Sequence, residues 1–203
     1  MRAPKRATLL HREPLCVDHR RLGHTTSRVG LNFESMSFPD SFATARLRAE
    51  RLATSHFGAI RAMDTDAEYM ALLGGTRSET DTRAYMARNL RHWDDYGFGL
   101  WVLRDLEGQV AGRCVLRHLD VEGTDEVELG YGLHRQYWGR GLATEVAREL
   151  LRLGREELRW PSIVAITRHD NLGSQRVLTK TGLVYERDVD HEGIPHLLYR
   201  STP

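Results

Sequence analysis

One stretch of the chain joins residue types that do chemistry to backbone that gives access to them. It runs Val127-Glu128-Leu129-Gly130-Tyr131-Gly132-Leu133, through His134-Arg135-Gln136-Tyr137, into Trp138-Gly139-Arg140-Gly141-Leu142-Ala143-Thr144-Glu145. The pattern reads as a strand, a turn and the start of a helix. The first amides of a helix have no intrahelical partner and carry the positive end of the macrodipole, so such a junction is an anion site. Glycine at 139 and 141 lets a diphosphate approach the backbone without a Cβ in the way, and Arg135 and Arg140 add positive charge. A Walker A loop would need Gly-Lys-Ser/Thr where Gly141-Leu142-Ala143 stands, and a dinucleotide fingerprint would need a third small residue where Thr144 stands. On its own, Gly139-x-Gly141 is equally well explained as a structural helix start.

Strand alternation places Val127, Leu129, Tyr131 and Leu133 on one face, and Glu128, Gly130 and Gly132 on the other. The first set is core-like. The second is a carboxylate beside two positions without side chains, which leaves room for a ligand or a close-packed backbone. A carboxylate in a central strand is either paired or used in chemistry. It can take a proton from an ammonium group before that nitrogen attacks, directly or through water, and a structural ion pair explains it equally well.

These residues carry a family resemblance. Glu128-Leu129-Gly130-Tyr131 running into Trp138-Gly139-Arg140-Gly141-Leu142-Ala143-Thr144-Glu145 resembles the acyl-CoA signature of the GNAT N-acetyltransferases. It is closest to the branch of ribosomal-protein N-terminal (Rim-type) enzymes. Asp170-Asn171-x-x-Ser174-x-Arg176-Val177-Leu178-x-Lys180-x-Gly182 is similar to that branch's second block, and Pro195-His196-Leu197-Leu198-Tyr199 to its closing strand. The resemblance spans roughly residues 45–200. It implies acetyl-CoA as cosubstrate, lying in a splay between the strand ending at Leu133 and the strand ending near Ile166. The diphosphate would rest on the amides from Trp138 to Thr144, through Gly139, Arg140, Gly141, Leu142 and Ala143. The N–H of Leu133 would face the thioester carbonyl as an oxyanion donor, with Asn171 and Ser174 near the pantetheine and sulfur. The acceptor would be a primary amine, on a small molecule or a peptide N-terminus. A non-catalytic acyl-CoA-binding module is the alternative.

Two departures from the general GNAT pattern bear on this. Trp138 occupies the first position of the Gln/Arg-x-x-Gly-x-Gly/Ala pattern, as is familiar in the Rim-type branch. The tyrosine acid that many members carry seven residues after the Asn171 equivalent is replaced by Leu178. Ser174 is then the candidate proton donor to the departing thiolate, although a helix cap or a pantetheine hydrogen bond explains it as well. Tyr131 and Tyr185 read as core or rim aromatics, and Arg176 and Lys180 as an exposed helix face or contacts for the nucleotide end. Among ten histidines, His191 and His196 flank a hairpin turn without metal-ligand spacing, so no metal is expected. Neither cysteine is placed as a nucleophile.

The elements that must hold these residues follow from periodicity. A short strand is expected over 46–52, a helix over 64–73 stopped at Gly74-Gly75, and a second helix from Ser78 to Tyr96-Gly97. Strands are expected at 98–103, 110–116 and 126–133, the last two separated by a polar loop. A long helix over 141–158 buries Leu142, Val146, Leu150 and Leu153. Then come a strand at 161–166, a helix from Asn171 to Thr181, and a hairpin of 183–189 with 196–199. The fold class is α+β: a mixed, mostly antiparallel sheet with helices on both faces and a splayed pair of central strands.

With 203 residues, 40% hydrophobic and 28% charged, the chain suits one domain plus an appendage. No stretch approaches the ~18 apolar residues of a membrane span. The net charge of +1 shows no basic surplus of the kind a DNA binder carries. Residues 1–35 hold seven basic residues against three acids without periodicity, so residues 1–40 read as a basic N-terminal extension and 41–203 as the acetyltransferase-like domain. Two cysteines, Cys16 and Cys114, make a disulfide framework improbable, and a cytoplasmic monomer or homodimer is expected. Acceptor specificity is expected from residues 64–96 and the loop 118–126, whose acids suit a cationic amine.

Overall fold

A computed structural model describes residues 38–201. Residues 1–37 of the extension, with Cys16, lie outside the described residues. Phe38 packs against Trp101 with ring centroids 5.5 Å apart and is buried.

The chain forms β1 (Ser41–Ala43), β2 (Arg48–Arg51), a 3-10 turn at Thr54–His56, α1 (Phe57–Thr65), α2 (Ala67–Met70) and α3 (Glu79–Tyr96). It continues through β3 (Leu100–Arg104), β4 (Val110–Val121), β5 (Thr124–Leu133), a 3-10 turn at Arg135–Tyr137 and α4 (Leu142–Glu156). It closes with β6 (Val164–Arg168), α5 (Leu172–Lys180), β7 (Leu183–His191) and β8 (Ile194–Ser201). The strands make one eight-stranded sheet in the order β1-β2-β3-β4-β5-β6-β8-β7. Every neighbouring pair is antiparallel except β5 with β6. No helix among the described residues is long and apolar enough to cross a membrane.

The expected α+β architecture is the one observed, with local corrections. The helix expected over 64–73 is two pieces, because Asp66 breaks it: its side chain accepts from the amides of Glu68 and Tyr69 and caps α2. Its first residue, Asp64, is instead the buried end of α1. That helix was not anticipated, although Ile60 and Met63 form its buried stripe. The polar loop at 118–126 is ladder on both sides, with β4 and β5 paired from Gly112↔Leu133 to Val121↔Thr124. Only the Glu122-Gly123 turn, both residues at positive φ, interrupts it. The short strand β1 was also missed, and β6 begins three residues later than expected.

α3 is set by its ends. Ser78 and Asp81 make a reciprocal capping box, and Gly97 closes the helix at φ 74°. α4 buries Leu142, Val146, Leu150 and Leu153 in one cluster with Trp101, Val127 and Leu129. α1, α2 and the middle of α3 pack a second cluster on Leu100, Val102 and Val115. β3 supplies alternate residues to the two clusters, so its side chains are buried on both faces. Burying each such side chain stabilises by about 1.5–3 kcal/mol, which makes this sheet a stiff floor for the site.

Candidate active site

The site begins where two strands part. β5 and β6 share a single register pair, Glu128↔Val164, and diverge beyond it. His134 donates its N–H to the Ala111 carbonyl at 2.9 Å, toward β4. Amide direction alternates along a strand, so the N–H and C=O of Leu133 face the opposite edge, into the gap. The Leu133 carbonyl is held there by the indole N–H of Trp138 at 2.7 Å. Its amide therefore stands on the cavity side beside a fixed carbonyl, and Leu133 lines the cavity. That cavity, about 910 Å³, runs along the gap and is lined by residues of both strands.

The expected anion turn follows. Gly139 and Gly141 take φ of 71° and 77°, left-handed values that glycine adopts without strain. Gly141 is the N-cap of α4, and no side chain caps the helix. The amides at its start thus remain available, and Trp138, Gly139, Gly141, Leu142, Ala143 and Thr144 line the cavity. The turn is tied from behind by Arg46. Its Nε donates to Glu145 Oε2 at 2.8 Å and its guanidinium to the Arg140 carbonyl at 2.9 Å. Arg140 is placed differently from expectation. Its side chain stacks 5.9 Å from the Tyr137 ring, and the residue does not line the cavity. Arg135 is engaged with Glu68.

Glu128 is buried at 5% exposure and lines the same cavity. Arg117, directly opposite it on β4, donates Nε to Oε2 at 2.7 Å. The ion pair weighed in the sequence therefore exists, and it stands within the site. Glu128 acts on Arg117 in turn, holding its guanidinium above the ordinary range. Gly130 and Gly132 follow Glu128 on its face as expected, but both are closely packed: a Cβ at Gly130 would come within 3.1 Å of Val115 Cγ1. A Cβ at Gly132 would meet Tyr69 Oη at 2.7 Å, so that position admits the close packing of α2.

Asn171 caps α5, accepting from the Ser174 amide at 3.0 Å. Ser174 Oγ lies 3.1 Å from Tyr131 Oη, with both residues lining the cavity. Burial pushes the Tyr131 phenol up to about 12, against the opposing effect of its bond to Ser174. Leu178 is buried in the core at 1% exposure. Tyr131 packs on the edge of the core cluster, as expected for a core or rim aromatic, and its hydroxyl in addition meets Ser174 of α5. Arg113 and Arg117 were also passed over. Two arginines four residues apart, on one face of a strand whose first half is otherwise free of charge, were the available sign. Cys114 is buried, which raises its thiol.

Residues 46–184 match the family model described as the acetyltransferase (GNAT) domain. The chain belongs to the GNAT acetyltransferase family. It is 30% identical over 154 residues to the FsC-acetyl coenzyme A-N(2)-transacetylase of Aspergillus fumigatus, covering 70% of this chain and 64% of that protein. It superposes with a TM-score of 0.72 on an acetyltransferase from Agrobacterium tumefaciens, at 25% identity, covering 87% of this chain and all of that one. RimL, a ribosomal L7/L12 α-N-protein acetyltransferase solved in complex with coenzyme A, gives a TM-score of 0.65 at 15% identity over 81% of this chain and 97% of its own. The GNAT fold accounts for the splay and the uncapped helix together, and the chain is an acetyl-CoA-dependent acyltransferase. Within this GNAT chain the hydroxyl pair Tyr131–Ser174 stands where the cavity meets α5, and Leu178 is core.

Proposed function

We propose that the protein moves the acetyl group of acetyl-CoA to a primary amine by direct attack, with no acyl-enzyme. The observation that carries this is the convergence, on one cavity, of the Leu133 amide, the uncapped start of α4 and the Glu128 carboxylate. The diphosphate rests on the amides from Gly139 to Thr144; the Trp138 amide, expected to join them, is taken by the Arg135 carbonyl at 2.9 Å. The thioester carbonyl takes a hydrogen bond from Leu133 N–H, which strengthens as negative charge develops on that oxygen. Glu128 accepts the proton that the ammonium must lose, directly or through water.

The amine nitrogen then forms its bond to the acetyl carbon, and the carbon–sulfur bond breaks. The sulfur leaves as a thiolate, whose conjugate thiol has a pKa near 8.5 and so needs modest help. Ser174 supplies a hydrogen bond and then the proton, with Tyr131 orienting its hydroxyl. As the amide forms, its nitrogen loses a second proton, which restores Ser174 through solvent, and the proton that Glu128 took is released to solvent, so the net products are the amide, the free thiol and one proton. A small amine and a peptide N-terminus both satisfy this chemistry.

The test is thiol release from acetyl-CoA across a panel of amines and N-terminal peptides, with deuterium uptake measured in the presence of free coenzyme A. Acetylation of an amine together with protection of residues 133–144 is the expected result. Protection elsewhere, or thiol release with no acetylated product, overturns the reading.

A further inference from the structure

On the side of the cavity away from Tyr131, the wall is built from arginines. Arg113, Val115 and Arg117 stand at alternate positions of β4 and share a face, opposite Gly132, Gly130 and Glu128 on β5. Arg77 and Arg88 come from the chain before and within α3, and all four arginines line the cavity. Arg113 is 6% exposed. It and Arg77 donate to one oxygen of one carboxylate, each at 2.8 Å from Asp64 Oδ1. The other oxygen of Asp64 accepts from Thr82 at 3.0 Å. Asp64 is fully buried, so two guanidiniums divide a single negative charge.

The aromatic rings hold these arginines in place without neutralising them. Arg77 and Arg113 lie 4.4 and 4.8 Å from the Tyr85 ring, and Arg113 also lies 5.5 Å from Tyr69. Arg88 is exposed and has no hydrogen-bond or ion-pair partner among the described residues. The acids on this side are Asp64 behind Arg77 and Arg113, Glu68 paired with Arg135, Glu128, and Glu192, the last contributing to the field at Arg117. With Arg135 included, five guanidiniums thus face four carboxylates. His191 and His196 on the rim add charge only when protonated. A guanidinium confined with a shared partner is completed by an oxyanion, which it binds through paired N–H groups.

We propose that the acceptor is a small amine carrying an oxyanion, a carboxylate or a phosphate, that Arg88, Arg77 and Arg113 receive while its amine lies toward Glu128. This rests on the acetyl-transfer reading above and names its substrate class. It reverses the cationic preference drawn from the charge count of the sequence. Of the acids in residues 64–96 that suggested that preference, Asp64 is spent on these arginines, Asp66 and Asp81 on helix caps, and Glu68, Glu79 and Asp94 on other arginines.

The experiment uses the full chain with acetyl-CoA and matched acceptors: butylamine with γ-aminobutyrate, ethanolamine with phosphoethanolamine, spermidine, and peptides with acidic or neutral N-terminal residues. The expected result is that the anionic member of one pair exceeds its neutral partner about tenfold in kcat/KM, and the pair that shows it separates carboxylate from phosphate. Arg88→Ala, at an exposed position, should lower that ratio toward one, and Arg88→Glu should shift it toward spermidine. Arg77→Met, accepted only where its thermal unfolding stays cooperative, should do the same as Arg88→Ala. Preference for spermidine or for the neutral amines in the unaltered protein overturns the proposal, as does a ratio untouched by both arginine variants. Preference confined to acidic peptides overturns the small-molecule assignment. Should coenzyme A bind while no amine of any charge is acetylated, the acetyl-transfer reading fails. Calorimetry of γ-aminobutyrate and phosphoethanolamine on the protein–coenzyme A complex then decides the anion site: binding lost in Arg88→Ala sustains it, and no binding sinks it.

Discussion

Tyr131 Oη lies 3.1 Å from Ser174 Oγ, joining the splayed strand β5 to the first turn of α5 across the cavity. Either hydroxyl can donate. The Ser174 amide is already committed to the Asn171 cap, so the Ser174 hydroxyl is the atom left to exchange partners when a sulfur arrives.

If the pair serves the leaving group, Tyr131→Phe and Ser174→Ala should each lower kcat by about 10–100-fold, the low end of general-acid effects, because a thiolate is a good leaving group. KM for acetyl-CoA should move far less. The double variant should lose little more than the worse single one, since the two hydroxyls act as a unit. The phenol is pushed up to about 12, so this pair should place no limb on the pH–rate profile below about pH 11. Additive losses in the double variant would instead mean that Tyr131 only packs against α5.

Trp138→Phe isolates a positioning effect. The ring is about half exposed, and its indole N–H holds the Leu133 carbonyl at 2.7 Å. Phenylalanine keeps an aromatic surface beside Arg135 but frees the carbonyl, and with it the plane of the Leu133 peptide. We expect kcat to fall about tenfold with less than about 1 kcal/mol lost in urea unfolding. A change confined to KM for acetyl-CoA would show that Trp138 serves diphosphate binding rather than peptide orientation.

Glu128→Gln and Arg117→Met separate the two roles of the strand carboxylate. Both remove the ion pair, and both should cost about 1–2 kcal/mol of stability, discounted because the Arg117 side chain is 32% exposed. As a base, Glu128 should be irreplaceable by glutamine, with kcat/KM falling on the order of 100-fold, whereas Arg117→Met keeps the carboxylate and most of the turnover. Equal and small activity losses in the two variants would reduce Glu128 to a structural partner.

These contrasts mark what local patterning could reveal. The face of α4 was legible because its apolar spacing is regular, and the glycines at 139 and 141 because only their backbone explains them. The same holds for the alternation that put Glu128 opposite Val127 and Leu129. The Arg117–Glu128 and Tyr131–Ser174 pairs were not, because each needs a register or a helix placement that periodicity along one segment does not contain. Asp64 shows the limit most clearly. It looked like the opening acid of a helix, and it is the buried end of the preceding one, bound to arginines 13 and 49 residues away.

His92 makes a prediction outside the site. Its Nδ1 lies 2.8 Å from the Phe98 carbonyl, which can only accept, and its Nε2 lies 3.0 Å from the His118 amide nitrogen, which can only donate. The backbone therefore selects the neutral ring with its proton on Nδ1. Burial holds His92 below the ordinary histidine range, opposed by the Phe98 carbonyl and reinforced by His118 and Arg117, with Asp95 acting the other way. Above about pH 6.5 the ring is neutral in both the folded and unfolded chain and its titration contributes no slope. Below that, the unfolded chain takes a proton that the folded one refuses, so stability falls with pH until the lower folded value is reached, by up to about 1.4 kcal/mol per pH unit. His92→Gln keeps one donor and one acceptor and does not titrate. Urea unfolding at about pH 7.5 and about pH 5.5 should show a smaller loss on acidification in the variant than in the unaltered chain. An unchanged loss would assign the acid sensitivity to groups other than His92.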